Sequence, residues 1–343
     1  MSESNGQIIN NIFKEIDTIK KDVISTRNKV LTNANSELLN LYYRIGGVIS
    51  KNQMYGSNFI NLLSQSLKNE FPNASGFSPR NLARMKKFYD EYKDLSISPS
   101  SAANLPTALA KLPWSFNNLL IDRIKTIEKR IWYAEKCIEN GWSYVVLDHQ
   151  IDLELYERQA DNTKKLSNFG ANLPEEQQVF ATNILKDPYI FELVGITQKS
   201  KEIDIERAMI DRIKSTLLEL GKGFSFIGNQ YRISTNNKDY YIDLLFYHLK
   251  LRCYVVIELK NDDFDPSYVG QLQFYIAAID DLLKTNSDNP TIGLLLCKNK
   301  DKYTVELSLK ATTTPISVAS YEIKKYLPTE EEINNCLKIT KSE

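Results

Sequence analysis

From Gln7 to about Asp187 apolar residues recur at steps of three and four, the period of an α-helix, and no stretch alternates as a strand would. Breaks fall at Asn52, Phe71 to Ser78, the serine-rich Ser96 to Ala103 and Asn140-Gly141, so this half reads as a string of helices. The first segment places Ile9, Ile12, Ile16, Ile19, Val23, Thr26 and Val30 on one seam, whose partner helix belongs either to the same chain or to a second copy. Leu119 to Glu139 is expected as one helix. After Lys186-Asp187-Pro188 the period changes. Ile203 to Leu220 is helical, Gly221-Lys222-Gly223 ends it, and Phe224 to Ser234 alternates as a strand. Strands over Tyr240 to His248 and Arg252 to Lys260 follow, then a helix from about Pro266 to Leu283 and apolar strands Thr291 to Cys297 and Ile316 to Tyr321. The order predicts a helical domain over residues 1–190 and an α/β sandwich with a mixed sheet over residues 195–343.

Composition narrows the classes. With 343 residues, 42% hydrophobic and 25% charged, the chain suits about two globular domains and is not disordered throughout. Lys and Arg number 43 and so do Asp and Glu; the zero net charge excludes a polybasic protein, and a nucleic-acid surface requires local segregation of charge. No apolar run approaches the roughly 18 residues of a membrane span, and Met1 to Gly6 lacks a secretion signal, so a cytoplasmic protein without a membrane partner is expected. Cys137, Cys253, Cys297 and Cys336 form no C-x-x-C pair and have only His149 and His248 to join them, so neither zinc nor disulfides are expected.

In the helical half, Asn58 to Glu70, the turn Phe71 to Phe77 and a helix opening at Ser78-Pro79 form a helix–turn–helix arrangement, with Ser as N-cap and Pro at the first helical position. Arg80, Asn81, Arg84 and Lys87 near the start of that second helix suit phosphate and base-edge contacts with DNA. A solvated helix packing through Leu82, Met85, Phe88 and Tyr89 would carry the same residues. The aromatic segment Leu112 to Ser143 is read as core.

The chemistry concentrates in Tyr240 to Lys260. Two strands so close in sequence pair as a hairpin. Asp243 shares a face with Tyr241 and Leu245, and Glu258 with Val256 and Lys260. With a turn near Leu249-Lys250, Asp243 opposes Val256 or Glu258 according to register, and the two carboxylates are direct or diagonal neighbours. Carboxylates in apolar strands call for compensation, which a hard divalent cation supplies. Asp243, Glu258 and the carbonyl of Leu259 would hold Mg²⁺ (or Mn²⁺) and leave positions for water and a phosphate oxygen, with Lys260 orienting the water or stabilising the pentavalent state. The competing interpretation is a Glu258–Lys260 ion pair; E-x-K recurs at Glu91-Tyr92-Lys93 and Glu322-Ile323-Lys324, where no chemistry is assigned. Convergence of Asp243, Glu258 and Lys260 in an open cleft favours an enzyme, and a closed Glu258–Lys260 pair favours an adaptor. Glu206 lies on an apolar helix stripe with Ile210, Ile213 and Leu217, either aimed at the metal or held in a first helical turn. Gln271, one turn into the helix after Asp265-Pro266, reaches a phosphate or water, or is a solvated amide.

Tyr241 to His248, Val256-Ile257-Glu258-Leu259-Lys260 and Gly270-Gln271-Leu272-Gln273-Phe274-Tyr275 resemble the YhcG-like proteins of the PD-(D/E)XK nuclease superfamily. The likeness extends through Leu41 to Gly46, Gly76 to Leu82, Leu112 to Ser115, Asn140 to Ser143 and Lys186 to Phe191, nearly the whole chain. It implies a helical, helix-turn-helix-like N-terminal domain for DNA binding or assembly, followed by a restriction-endonuclease-like domain with a central mixed sheet. Asp243, Glu258 and Lys260 are then the D…ExK set, with Ile242 in place of the proline, Gln271 an accessory residue and Glu206 the first-helix acid. The expected function is a metal-dependent DNA endonuclease in restriction, other defence or mobile-element processing, as a homodimer or in association with restriction–modification or other defence proteins. A non-catalytic DNA-binding or adaptor subunit is the alternative.

Overall fold

Contacts divide the chain into two units, Met1–Asp152 and Leu153–Glu343. The computed structural model describes residues 34–52, 56–73, 75–95, 106–193, 200–234 and 238–325, with Ile19. Apart from Ile19, the seam from Ile9 to Val30 lies outside the described residues, as does Cys336.

The first unit contains α1 (residues 34–51), α2 (Gly56–Glu70), α3 (Pro79–Tyr92), α4 (Thr107–Lys111), α5 (Trp114–Arg123), α6 (Ile127–Asn140) and α7 (Tyr144–Asp152). The α3 start follows its sequence signal: Ser78 Oγ accepts from the Asn81 amide at 3.3 Å, and Pro79 occupies the first turn. Tyr42, Ile49, Leu82 and Met85 form a core in which α1 meets the backbone of α3 so closely that a Cβ at Gly46 would strike the Met85 carbonyl. The helix expected over Leu119 to Glu139 is two helices, because Ile124 is extended and breaks the ladder. Arg130 takes up the freed carbonyls, donating to Ile124 O at 2.7 Å and Lys125 O at 3.4 Å, and reaches Glu91 at 2.8 Å.

The second unit begins with α8 (Leu155–Gln159), β1 (Leu166–Ser167), α9 (Phe169–Asn172), α10 (Glu175–Ile184) and β2 (Tyr189–Leu193). It continues through α11 (Glu202–Asp211), α12 (Ile213–Leu220), β3 (Phe224–Ser234), β4 (Asp239–His248), β5 (Cys253–Leu259), α13 (Pro266–Leu282), β6 (Ile292–Cys297), α14 (Lys302–Lys310) and β7 (Ile316–Lys325). The sheet order is β1-β7-β6-β5-β4-β3, with β2 also on β7. β3, β4 and β5 are antiparallel, whereas β5, β6 and β7 run parallel, giving the mixed sheet expected. Both faces are covered. Ile205 and Met209 of α11 and Leu220 of α12 pack with Leu244, Phe246, Ile257 and Leu294 on one side; Val269, Leu272 and Ile276 of α13 pack with Leu245, Val256 and Leu295 on the other. Double coverage is why β5 and β6 read as continuous apolar runs.

In the second unit the described residues differ from the sequence expectation at several elements, among them β2, a strand parallel to β7 that no pattern announced. β1 falls in the stretch read as purely helical, and two residues are too few to leave a period. The segment 203–220 is two helices, broken where Arg212 leaves helical geometry at ψ 41°. α14, between β6 and β7, is an added helix, opened by Asp301 accepting from the Thr304 amide at 2.8 Å. The helix-patterned segment from α8 to α10 packs with the sheet, so the contact boundary precedes the change of period.

Candidate active site

The β4–β5 ladder runs from His248↔Cys253 to Leu244↔Ile257. The chain reverses through residues 249–252, with Arg252 in the left-handed region at φ 51° and its amide donating to His248 O at 2.7 Å. One step beyond the last pair, this register sets Asp243 opposite Glu258. There the Leu259 amide donates to the side chain of Asp243, at 2.9 Å to Oδ2.

Glu258 is 2% exposed and Lys260 9%. Lys260 Nζ donates to Glu258 Oε1 at 3.0 Å, lies 3.9 Å from Glu202 Oε2 and sits 5.2 Å above the Tyr268 ring. Asp265 accepts from the Ser267 amide at 2.8 Å and starts α13, which presents Gln271 one turn later. Gln271 Nε2 donates to Glu258 Oε1 at 2.8 Å and to Tyr275 OH at 3.0 Å. Glu258 Oε2 is buried and has no hydrogen-bond partner. Asp243, Glu258, Lys260 and Gln271 thus converge, and the Glu258–Lys260 contact is closed.

The electrostatics match this crowding. Burial raises Asp243 to about 6, opposed by the Leu259 amide and Lys260 and reinforced by Glu206 and Glu202. Burial, then the charge of Asp243, raises Glu258 to about 8 despite Lys260. Burial lowers Lys260, but the charge and hydrogen bond of Glu258 outweigh it, and the net shift is upward, so the ammonium stays protonated.

Glu206, 1% exposed, lies in the second turn of α11; the first-turn acids are Glu202 and Asp204. Its Oε1 accepts from Asn229 at 2.7 Å and its Oε2 from Gln230 at 2.5 Å. Gln230 also donates to Asp243 Oδ1 at 3.3 Å, so Glu206 is joined to Asp243 through an amide. Sequence reading gave no role to Asn229, Gln230 or Glu202. Gln230-Tyr231 is among the residues that carry the family resemblance, but nothing in the pattern assigns Gln230 a contact.

Among the described residues no three or more His, Cys, Asp or Glu side chains form a metal-holding group. The set read from sequence needs two carboxylates and one carbonyl, with water and substrate completing the shell. The unpartnered Glu258 Oε2, in a cluster with more carboxylates than cations, fits a hard divalent cation.

In the first unit a groove of about 720 Å³ is lined by residues that include Arg80, Asn81, Arg84, Trp114 and Tyr144. Asn81 is engaged within the fold, donating to Gly76 O at 2.6 Å and accepting from Trp114 Nε1 at 2.8 Å. Arg84 and Lys87 lie 3.4 Å and 2.8 Å from Asp122. Among the described residues Arg80, exposed at the helix start, has no ion pair.

Residues 18–158 match the DUF1016 N-terminal domain and residues 182–338 the YhcG PDDEXK nuclease domain. The chain is 27% identical over 350 aligned positions to YhcG of Escherichia coli (strain K12), whose given name classes it provisionally as a nuclease; the match covers 95% of this chain and 92% of that protein. Two solved structures overlap parts of the chain: a repair endonuclease from Pyrococcus abyssi (TM-score 0.25, 18% identity, 39% of this chain) and EndoMS with double-stranded DNA (0.26, 13%, 40%). The matches cover 50% and 49% of those chains. With both domain matches in chain order, the chain belongs to the YhcG-like family of PD-(D/E)XK nuclease-domain proteins.

Proposed function

We propose that this chain is a Mg²⁺-dependent DNA endonuclease, also able to use Mn²⁺, that hydrolyses phosphodiester bonds at Asp243, Glu258 and Lys260. The observation that carries the reading is the buried, unpartnered Oε2 of Glu258, a residue whose ladder register sets it opposite Asp243. Asp243, Glu258 and the Leu259 carbonyl would hold the cation. When bound, the cation acidifies water and neutralises charge developing on the phosphate. The Lys260 ammonium donates to the attacking water or to a phosphate oxygen, stabilising the pentavalent state. Gln271 keeps Glu258 Oε1 in place from α13.

The helix-turn-helix-like pair α2 and α3 contacts DNA or serves assembly. Arg80 is the leading phosphate contact, Arg84 and Lys87 contribute as Asp122 releases them, and Asn81 supports the helix start. The setting is cytoplasmic, in restriction, other defence or mobile-element processing, with a homodimer supplying two sites for two strands. The 3.0 Å Glu258–Lys260 contact favours a second reading, a non-catalytic DNA-binding or adaptor subunit.

Cleavage of duplex, branched and single-stranded DNA and of RNA, with Mg²⁺ or Mn²⁺, tests the choice. Cleavage lost in chelator and in Lys260→Ala is expected; specific binding without cleavage by the wild type selects the adaptor.

A further inference from the structure

Gln230 stands in the left-handed region, at φ 45°. Of the three non-glycine residues with positive φ among those described, Glu154 precedes α8 and Arg252 lies in the β4–β5 turn; Gln230 alone lies within a strand. Glutamine seldom adopts this conformation. The register of β3 on β4 shifts between Phe226 and Gly228, then resumes at Asn229↔Leu244 and Tyr231↔Ile242, so Gln230 falls where the register brings β3 alongside Asp243. A local irregularity alone would not require the side chain to reach any particular group. This one reaches two carboxylates, Glu206 and Asp243.

We propose that Gln230 is a positioning residue for the metal site: its left-handed backbone carries its amide between Glu206 and Asp243 and fixes the plane of the Asp243 carboxylate. The inference rests on the reading of Asp243 as a metal ligand. Asp243 is gripped from both neighbouring strands, Oδ2 by the Leu259 amide of β5 and Oδ1 by Gln230 of β3. Each carboxylate oxygen has two lone pairs, so both grips leave capacity for a cation. Glu206, its oxygens taken up by Asn229 and Gln230, acts through Gln230 by holding the amide on course. Such outer contacts set the orientation of ligands they never share with the metal.

The test is Mn²⁺ affinity, measured by electron paramagnetic resonance on the full chain as wild type, Gln230→Ala, Gln230→Gly and Asp243→Asn. Gln230→Gly suits the left-handed backbone and removes only the side chain, and circular dichroism checks that each variant is folded. Both Gln230 variants are expected to bind Mn²⁺ about 10-fold more weakly or worse. In cleavage assays half-saturating metal should rise while the rate at saturating metal is largely recovered. Mn²⁺ affinity in Gln230→Gly within twofold of the wild type overturns the inference when the wild type binds and Asp243→Asn does not. No difference between wild type and Asp243→Asn instead overturns the underlying metal-site reading.

Discussion

Among the described residues of the second unit, two buried clusters of charge have opposite balances. In one, Glu219 faces two cations: its Oε1 accepts from Arg158 Nη1 at 2.5 Å and the Ile190 amide at 2.9 Å, and its Oε2 from Arg158 Nη2 at 3.4 Å and Lys186 at 3.3 Å. Arg158 also donates to the carbonyls of Leu153 and Pro188, and Lys186 to that of Glu219. Both carboxylate oxygens are satisfied. In the other cluster Asp243 and Glu258 share one cation, Lys260, with Glu206 close by, and Glu258 Oε2 has no partner. The first joins the α8–β2 segment to α12 and is closed to a further ligand. The second is short of positive charge at one edge of the β4–β5 ladder. Burial alone does not separate structural from chemical charges; the count of partners does.

The largest expected effect comes from breaking the closed cluster. Glu219→Ala leaves Arg158 and Lys186 buried without their carboxylate and should destabilise the fold by about 3–5 kcal/mol, read by chemical denaturation. Glu258→Gln removes a repelled carboxylate and should leave stability unchanged or raised. Equal destabilisation by the two would erase the distinction. Next, Asp243→Ala, Glu258→Ala and Lys260→Ala should each abolish cleavage, a loss of at least about 10²–10³-fold, while the protein stays folded. Unfolding of all three variants would mark the set as a structural ion pair.

A smaller effect is thermal. Mg²⁺ or Mn²⁺ at about 100 times its dissociation constant should stabilise the wild type by about 2.7 kcal/mol, chelator should reverse this, and Asp243→Asn should not respond. A melting-temperature gain equal in Asp243→Asn would move the cation elsewhere. The smallest is a pH response from a buried group outside both clusters. His248 is buried, and burial lowers its pKa to about 4. A base with a depressed folded pKa stabilises fully above its unfolded value near 6.5, and that contribution is lost as pH falls from 6.5 towards 4. The wild type should therefore lose more stability than His248→Gln between pH 6.5 and 5; parallel melting curves would mean that His248 titrates as if exposed.

The sequence was most legible where period and chemistry coincide. Phe224–Ser234 is the strand its alternation marks, and Asp265-Pro266 opens α13 where a cap and a first-turn proline require it. The two-carboxylate face was readable from parity, but its register was not. Turns over Leu249-Lys250 and over residues 249–252 differ by one pair, and the left-handed Arg252 that decides between them has no side-chain signature. The Arg158–Lys186–Glu219 cluster joins residues up to 61 apart, which local patterning cannot register. Gln230 belongs to the stretch that resembles the family, but its contacts were not legible because glutamine does not ordinarily mark left-handed backbone.

The most direct test is the structure of the protein crystallised with Mn²⁺, located by anomalous scattering. A peak coordinated by Asp243 and by Glu258 Oε2 is the predicted result. A Glu258–Lys260 pair left intact, with Mn²⁺ absent from these carboxylates at millimolar concentration, would contradict the account.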